Sequence, residues 1–183
     1  MVFKTCAKFS CMSKGYHLSV AHQLACTLIS IFRGDGATGM MTNGKHILIV
    51  DDYPDALDIW TLFLRALGYQ VSTAADGASA INQAEQLLPD LIVLDLELPG
   101  ISGFEAAKRL RSNPATQDIP LIAATGYSHH RQLAMAREAG FDQVVVKPVD
   151  PDSLVREIEH LLEMTVAVRQ PNHSFVHRAH ENG

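Results

Sequence analysis

The stretch LIVLD at residues 91–95 is a continuous apolar run that ends in a carboxylate, Asp95. Apolar residues without alternation are typical of strands in a parallel sheet, because such a sheet is covered on both faces. The stretch HILIV at residues 46–50 has the same character, and it runs directly into Asp51 and Asp52. Both stretches therefore predict central strands of a buried parallel sheet.

Strand-like and helix-like patterns alternate five times between residues 45 and 162. Tyr69, Val71 and Thr73 alternate with polar neighbours and predict an edge strand, while residues 119–124 and 144–146 predict the fourth and fifth strands. Apolar residues at helical spacing mark the five helices that follow the strands: Leu57, Trp60, Leu64 and Leu67; Ile81, Ala84 and Leu88; Phe104, Ala107 and Leu110; Leu133, Ala136 and Ala139; Leu154, Ile158, Leu161 and Leu162. Helices of this size between strands imply right-handed crossovers. We therefore predict an α/β fold with a doubly wound, five-stranded parallel sheet in the order 2-1-3-4-5.

The 183 residues carry a formal net charge of −5, and this charge is distributed unevenly. Residues 45–163 hold 9 basic and 18 acidic side chains, a net charge of −9. Residues 1–44, with 4 basic and 1 acidic side chain, carry +3, and residues 164–183, with 2 and 1, carry +1. This distribution predicts one acidic domain at 45–163 between a loosely structured N-terminal extension and a loosely structured C-terminal tail. An acidic domain also argues against a general nucleic-acid binder, because it repels a phosphate backbone.

The two ends of the chain leave several interpretations open. The apolar residues 16–32 are too few and too polar for a membrane span, and they fit an amphipathic surface helix, a signal peptide or a poorly ordered segment. Alternatively, the natural chain begins at Met40 or Met41. The three cysteines, Cys6, Cys11 and Cys26, are expected to be reduced thiols, with Cys6 and Cys11 followed by His17 or His22 as a weak alternative zinc site. The tail histidines His173, His177 and His180 are weak candidates for metal ligands against solvated side chains.

Polar residues stand at the carboxyl ends of four predicted strands: Asp51 and Asp52 after the first, Asp95 at the third, Thr125 at the fourth and Lys147 at the fifth. Each residue alone has an ordinary explanation, such as a helix cap or a surface charge. The carboxyl ends of parallel strands meet at one edge of the sheet, where doubly wound folds bind their ligands. We therefore expect all five side chains to share one crevice.

The residue types in this crevice predict phosphoryl transfer. Three crowded carboxylates repel one another, and a hard divalent cation with oxygen ligands, such as Mg²⁺, relieves the repulsion. One carboxylate is then available as a nucleophile that forms an aspartyl phosphate. Thr125 and Lys147 would bind the oxygens of the incoming phosphoryl group.

The chain resembles the receiver domain of two-component response regulators in four stretches: IVDD at 49–52, LDLELPGISG at 94–103, ATG at 124–126 and VKP at 146–148. The likeness covers residues 45 to about 163. It implies a flavodoxin-like receiver fold and a cytoplasmic signalling protein that is not a conventional turnover enzyme.

The resemblance also implies a role for each residue of the site. Asp95 is the phosphoacceptor, and Mg²⁺ is held by Asp52, Asp95 and the backbone carbonyl of Glu97, with Asp51 acting largely through a metal-bound water. Thr125 and Lys147 contact the phosphoryl oxygens, and the Lys147–Pro148 bond is cis. Two residues beside the acceptor modulate dephosphorylation: Glu97 and Tyr127.

The implied partners are proteins. A histidine kinase or a histidine phosphotransfer protein supplies the phosphoryl group, and a downstream protein binds the face made by the fourth helix, fifth strand and fifth helix. The resemblance is to a stand-alone, chemotaxis-regulator-like receiver, so we expect no direct nucleic-acid binding and no membrane span. One position departs from the family pattern, because Val144 stands where many receivers have an aromatic residue that reports the switch.

Two other classes of function remain open at this point. One is a receiver-shaped scaffold that never carries phosphate. The other is a small aspartyl-phosphate phosphatase of the haloacid dehalogenase type, which would have an aspartate two residues after its nucleophile, where this chain has Glu97.

Overall fold

The computed structural model describes residues 44–126 and 130–169 of the chain. Five strands alternate with five helices: β1 (His46–Val50), α1 (Pro54–Ala66), β2 (Gln70–Ala74), α2 (Gly77–Leu87), β3 (Leu91–Asp95), α3 (Gly103–Ser112), β4 (Leu121–Thr125), α4 (His130–Ala139), β5 (Gln143–Val146) and α5 (Pro151–Arg169). The strands form one sheet in the order β2-β1-β3-β4-β5, and every neighbouring pair is parallel. The predicted fold class and strand order are confirmed.

Helices cover both faces of the sheet, because alternate residues of each strand point to opposite sides. On one face, α1 and α5 pack against side chains such as Ile47 and Ile122. On the other face, α2, α3 and α4 pack against side chains such as Leu48 and Ile92. β3 and β4 are buried along their whole length, as continuous apolar runs predict.

A proline explains two of the boundaries that differ from the sequence prediction. β4 begins at Leu121 rather than Ile119, because Pro120 between them has no N–H to donate to the sheet. Leu88, predicted on the apolar face of the second helix, instead ends that helix with a φ of 45° and is 56% exposed. Pro89 follows it and disfavours the helical region for the preceding residue.

The last helix extends beyond the predicted end of the domain. α5 continues to Arg169, so residues 164–169 belong to a helix rather than to a tail. The predicted extension and the remaining tail lie outside the described residues, as do the cysteines and histidines named there. Within residues 44–126 and 130–169, no helix combines the length and the apolar character that crossing a bilayer requires.

Candidate functional site

The predicted site residues meet at the carboxyl edge of the sheet. Asp95 is the last residue of β3 and Thr125 the last of β4, while Asp51 follows β1 and Lys147 follows β5. Beside them lies a cleft of about 460 Å³. Its lining comprises Asp51, Asp52, Tyr53, Ala56, Trp60, Asp95, Glu97, Gly126, Lys147, Pro148 and Val149.

Lys147 joins two buried carboxylates. Its Nζ lies 2.7 Å from Asp51 Oδ2 and 2.5 Å from Asp95 Oδ2, and Asp51 and Asp95 are 6% and 4% exposed. Burial by itself would lower the pKa of Lys147, but the hydrogen bonds and negative charges of the two aspartates outweigh it, so that the pKa is raised. The ammonium group therefore stays charged at neutral pH and bridges β1 to β3.

Backbone N–H groups fix the other oxygen of each bridged carboxylate. Tyr53 donates its backbone N–H to Asp51 Oδ1 at 2.9 Å, and Glu97 donates its own to Asp95 Oδ1 at 2.9 Å. Each donor lies two residues after its acceptor, in the turn that leaves the strand. Both carboxylates are thus held in one orientation before any ligand arrives, which is the condition for a precise binding site.

The carboxylates are suited to a divalent cation. Asp51, Asp52 and Asp95 each offer one oxygen, and these three atoms lie within 4.8 Å of one another. These three carboxylates and the Lys147 ammonium group together carry a formal charge of −2, and the donors are oxygens, which Mg²⁺ prefers. Asp52 is the exposed member of the group, so it faces an arriving ion. This cluster could bind a metal; the backbone carbonyl of Glu97 as a further ligand stays a prediction.

Thr125 lies at the same edge but below the surface. It is 1% exposed, and the next residue, Gly126, lines the cleft. The backbone carbonyl of Thr125 accepts a hydrogen bond from the N–H of Lys147 at 2.7 Å, which connects β4 to the lysine.

The Lys147–Pro148 peptide bond is cis, as the resemblance implies. Tyr127 lies outside the described residues.

Val144 stands at the position where many receiver domains have an aromatic residue. Val144 lies on β5, is partly buried and packs against the core on the α3 and α4 side. An aliphatic side chain in this place offers no ring that could turn between an exposed and a buried position.

Sequence reasoning missed the role of Trp60. The helical spacing predicted it as part of a core face, and Trp60 does pack against the core, with its ring centroid 6.0 Å from that of Phe63. The spacing did not predict that Trp60 also forms part of the wall of the cleft. Ala56, one turn earlier on α1, lines the same wall. The position of Trp60 beside the cleft could have been predicted from the sequence. A helix that starts directly after Asp51 and Asp52 must have its first turns beside those aspartates.

Gly103 keeps the start of α3 close to Asp95. A Cβ atom on Gly103 would lie 2.1 Å from the Asp95 carbonyl oxygen and 2.8 Å from the Leu96 Cα, both of them backbone atoms. We expect Gly103→Ala to reduce the free energy of unfolding by about 1–3 kcal/mol, since backbone must move to admit the methyl group. Gly126→Ala is the matched control, because a Cβ there has no neighbour within 4 Å among the described residues. Urea unfolding of both variants measures the difference, and equal stability would contradict this account.

A doubly wound sheet with three aspartates and a lysine at its carboxyl edge defines a class of signalling domain that accepts phosphoryl groups. The profile of the response regulator receiver domain matches residues 47–159, and this chain belongs to that family. The receiver domain prediction is confirmed, and the chain is a signalling protein of the two-component type.

Two curated relatives illustrate the similarity in sequence. The DNA-binding dual master transcriptional regulator RpaA of Synechocystis is 36% identical over 125 residues, which are 68% of this chain and 52% of the relative. The DNA-binding response regulator MtrA of Mycolicibacterium smegmatis is 34% identical over 119 residues, 65% of this chain and 51% of the relative. The chain thus spans about half the length of these relatives.

Two solved structures illustrate the similarity in fold. The response regulator TrrA of Thermotoga maritima, in complex with Mg²⁺ and BeF, has a TM-score of 0.58 and 36% identity, covering 64% of this chain and 98% of that one. The receiver domain of the sensor histidine kinase PA1611 of Pseudomonas aeruginosa, with a magnesium ion in its active-site cleft, has a TM-score of 0.62 and 30% identity over 66% of this chain and 98% of that one.

Proposed function

We propose that Asp95 accepts a phosphoryl group from a histidine kinase or a histidine phosphotransfer protein in a reaction that depends on Mg²⁺. The observation that carries the proposal is the convergence of Asp51, Asp52, Asp95 and Lys147, from three strand ends far apart in the sequence, on one cleft. Independent structural roles for these residues would not require them to share a site.

In the proposed reaction, a carboxylate oxygen of Asp95 attacks the phosphorus of a phosphohistidine. The new P–O bond forms as the P–N bond breaks, and the imidazole leaves with the electron pair and takes a proton from solvent. A bound Mg²⁺ would be held by Asp52, Asp95 and the Glu97 carbonyl, with Asp51 nearby, and would supply charge neutralisation between the carboxylates and the phosphoryl group.

Lys147 and Thr125 would stabilise the product. The ammonium group of Lys147 already contacts Asp95 Oδ2, so a phosphoryl group on that residue enters the reach of a fixed positive charge. The Thr125 hydroxyl is the proposed second contact to the phosphoryl oxygens. Glu97 and Tyr127, which follow Asp95 and Thr125 by two positions in the sequence, are proposed to set the rate of hydrolysis. That rate would make the protein a timed switch rather than a turnover enzyme.

Binding of Mg²⁺ to the cleft is testable with the chain's single tryptophan, Trp60, which lines the same cleft. We expect added Mg²⁺ to change the fluorescence of Trp60 in a saturable way, because the ion alters the field beside the indole ring. Asp52→Asn should weaken the apparent affinity by at least about tenfold, since it removes a charged ligand. Asp118 is an exposed acidic residue before β4, and Asp118→Asn is the control for the loss of one carboxylate. This variant should bind Mg²⁺ like the unchanged chain. Equal affinity in all three proteins would contradict the assignment of the metal site.

We propose further that the output is a change in binding to a partner protein through the face made by α4, β5 and α5, and that the protein works in the cytoplasm. Two exposed apolar side chains support this surface, Met135 on α4 at 43% and Val146 on β5 at 41% exposure. The net charge of −9 over residues 45–163 favours protein over nucleic acid as the partner.

The test compares Met135→Lys/Val146→Lys with the unchanged chain as baits, each loaded with beryllofluoride and Mg²⁺. We expect the unchanged chain to retain a protein that the Asp95→Asn chain and the double variant do not. Retention that does not depend on loading, or that survives the double substitution, would contradict a phosphorylation-dependent role for this face.

A further inference from the structure

The outer edge of β2 pairs with no strand among residues 44–126 and 130–169, and side chains take part of its hydrogen-bonding capacity. β2 pairs with β1 on one side: the Gln70 N–H is donated to the Lys45 carbonyl, and the Ala74 carbonyl accepts the Asp51 N–H. Backbone groups of a strand alternate in direction from one residue to the next. The N–H and carbonyl groups of Val71 and Thr73 therefore point away from the sheet, toward any strand that approaches from outside.

Side chains from two helices occupy both of these outward carbonyls. Arg65 Nη2, from the last turn of α1, donates to the Val71 carbonyl at 3.1 Å, and Gln83 Nε2, from α2, donates to the Thr73 carbonyl at 2.8 Å. The two helices cover opposite faces of the sheet. One side chain thus reaches over the edge from each face of the sheet. Together the two side chains donate hydrogen bonds to both outward carbonyls of β2.

We infer that the β2 edge is a latent pairing surface for the β2 strand of a second copy of this chain, and that Arg65 and Gln83 keep it closed. An edge strand with unpaired backbone groups is a template for another strand, which adds through main-chain hydrogen bonds. Identical edges offer identical partners, so a second copy is the partner that is always present. The two side chains withhold the acceptors that this pairing needs.

The surface is separate from the proposed phosphoryl site. Arg65 lies at the end of α1 remote from Asp52, and neither Arg65 nor Gln83 lines the cleft. The inference therefore does not rest on the proposed function, and phosphorylation by acetyl phosphate should be unchanged when the edge is opened.

The test removes both donors while keeping side chains of similar length, in Arg65→Met/Gln83→Met. We expect this variant to self-associate at least about tenfold more tightly than the unchanged chain in sedimentation equilibrium, because each copy gains free backbone acceptors. The control is Arg109→Met/Gln86→Met, which makes the same change of charge and apolarity at exposed positions of α3 and α2. Its association should equal that of the unchanged chain.

A third substitution shows whether the new contact uses the edge. Thr73→Pro removes an outward N–H and leaves the bonds to β1 in place, a position where an edge strand accepts proline; added to the double variant, it should reverse the association. The single variants Arg65→Met and Gln83→Met, each with a native unfolding transition, should show part of the increase. Association that is unchanged in every folded variant, or that persists after Thr73→Pro, would overturn the inference.

Discussion

Asp95→Asn will abolish the incorporation of phosphate from acetyl phosphate and Mg²⁺, while the unchanged chain takes up one acid-stable, base-labile phosphate. The amide lacks the negative oxygen that attacks phosphorus, and the proposed reaction assigns that attack to Asp95 alone, with Asp51 and Asp52 as ligands or neighbours of the metal ion. Mass spectrometry of the intact protein before and after mild base measures the modification.

Asparagine keeps the oxygen that accepts the Glu97 N–H but loses the one that accepts from Lys147, so the urea unfolding transition of the variant is recorded alongside to show that it is folded. Asp118→Asn should be phosphorylated like the unchanged chain. Phosphate on the Asp95→Asn chain at the normal rate would exclude Asp95 as the acceptor. No phosphate on either chain would favour the scaffold, and continuous release of phosphate from many monoesters would favour the phosphatase.

The sheet and the location of the site follow from a local property of the sequence. Apolar runs such as residues 47–50 and 91–94 end in aspartates, and a parallel sheet places such ends side by side whatever the intervening sequence. Backbone direction alone was therefore sufficient to bring Asp51 and Asp95 together. The sharing of Lys147 between them was not predictable, because it depends on how far a flexible side chain reaches across the edge.

Helix lengths and helix positions were harder to predict, for two physical reasons. The apolar pattern of α5 weakens after Leu162 because the helix leaves the core there, with Met164 54% exposed, and not because the helix ends. The pattern of α1 identified the face of the helix that carries Trp60 but not how far that face extends beyond the sheet. Periodicity records which side of a helix is buried, and it contains no information about displacement along the helix axis.

Lys147→Met should lower the free energy of unfolding by about 2–4 kcal/mol at neutral pH without Mg²⁺, because it leaves two buried carboxylates without their counter-charge. The side chains of Asp51 and Asp95 are 8% and 6% exposed, so water screens them poorly, whereas the lysine is 31% exposed. The control is Lys45→Met, which breaks the half-exposed ion pair with Asp90 and should cost about 1 kcal/mol or less. Urea unfolding measures both losses.

Magnesium distinguishes a lost ion pair from a general packing defect. A cation that binds the folded cleft stabilises the protein by mass action, and in the Lys147→Met chain it also relieves the repulsion that the lysine no longer offsets. Saturating Mg²⁺ should therefore raise the stability of this variant by more than it raises that of the unchanged chain or of Lys45→Met. An equal increase in all three proteins would mean that the lysine does not balance the charge of the metal site. Because the combined formal charge of Asp51, Asp52, Asp95 and residue 147 changes from −2 to −3 when the lysine is removed, the direction of the difference follows from electrostatics alone.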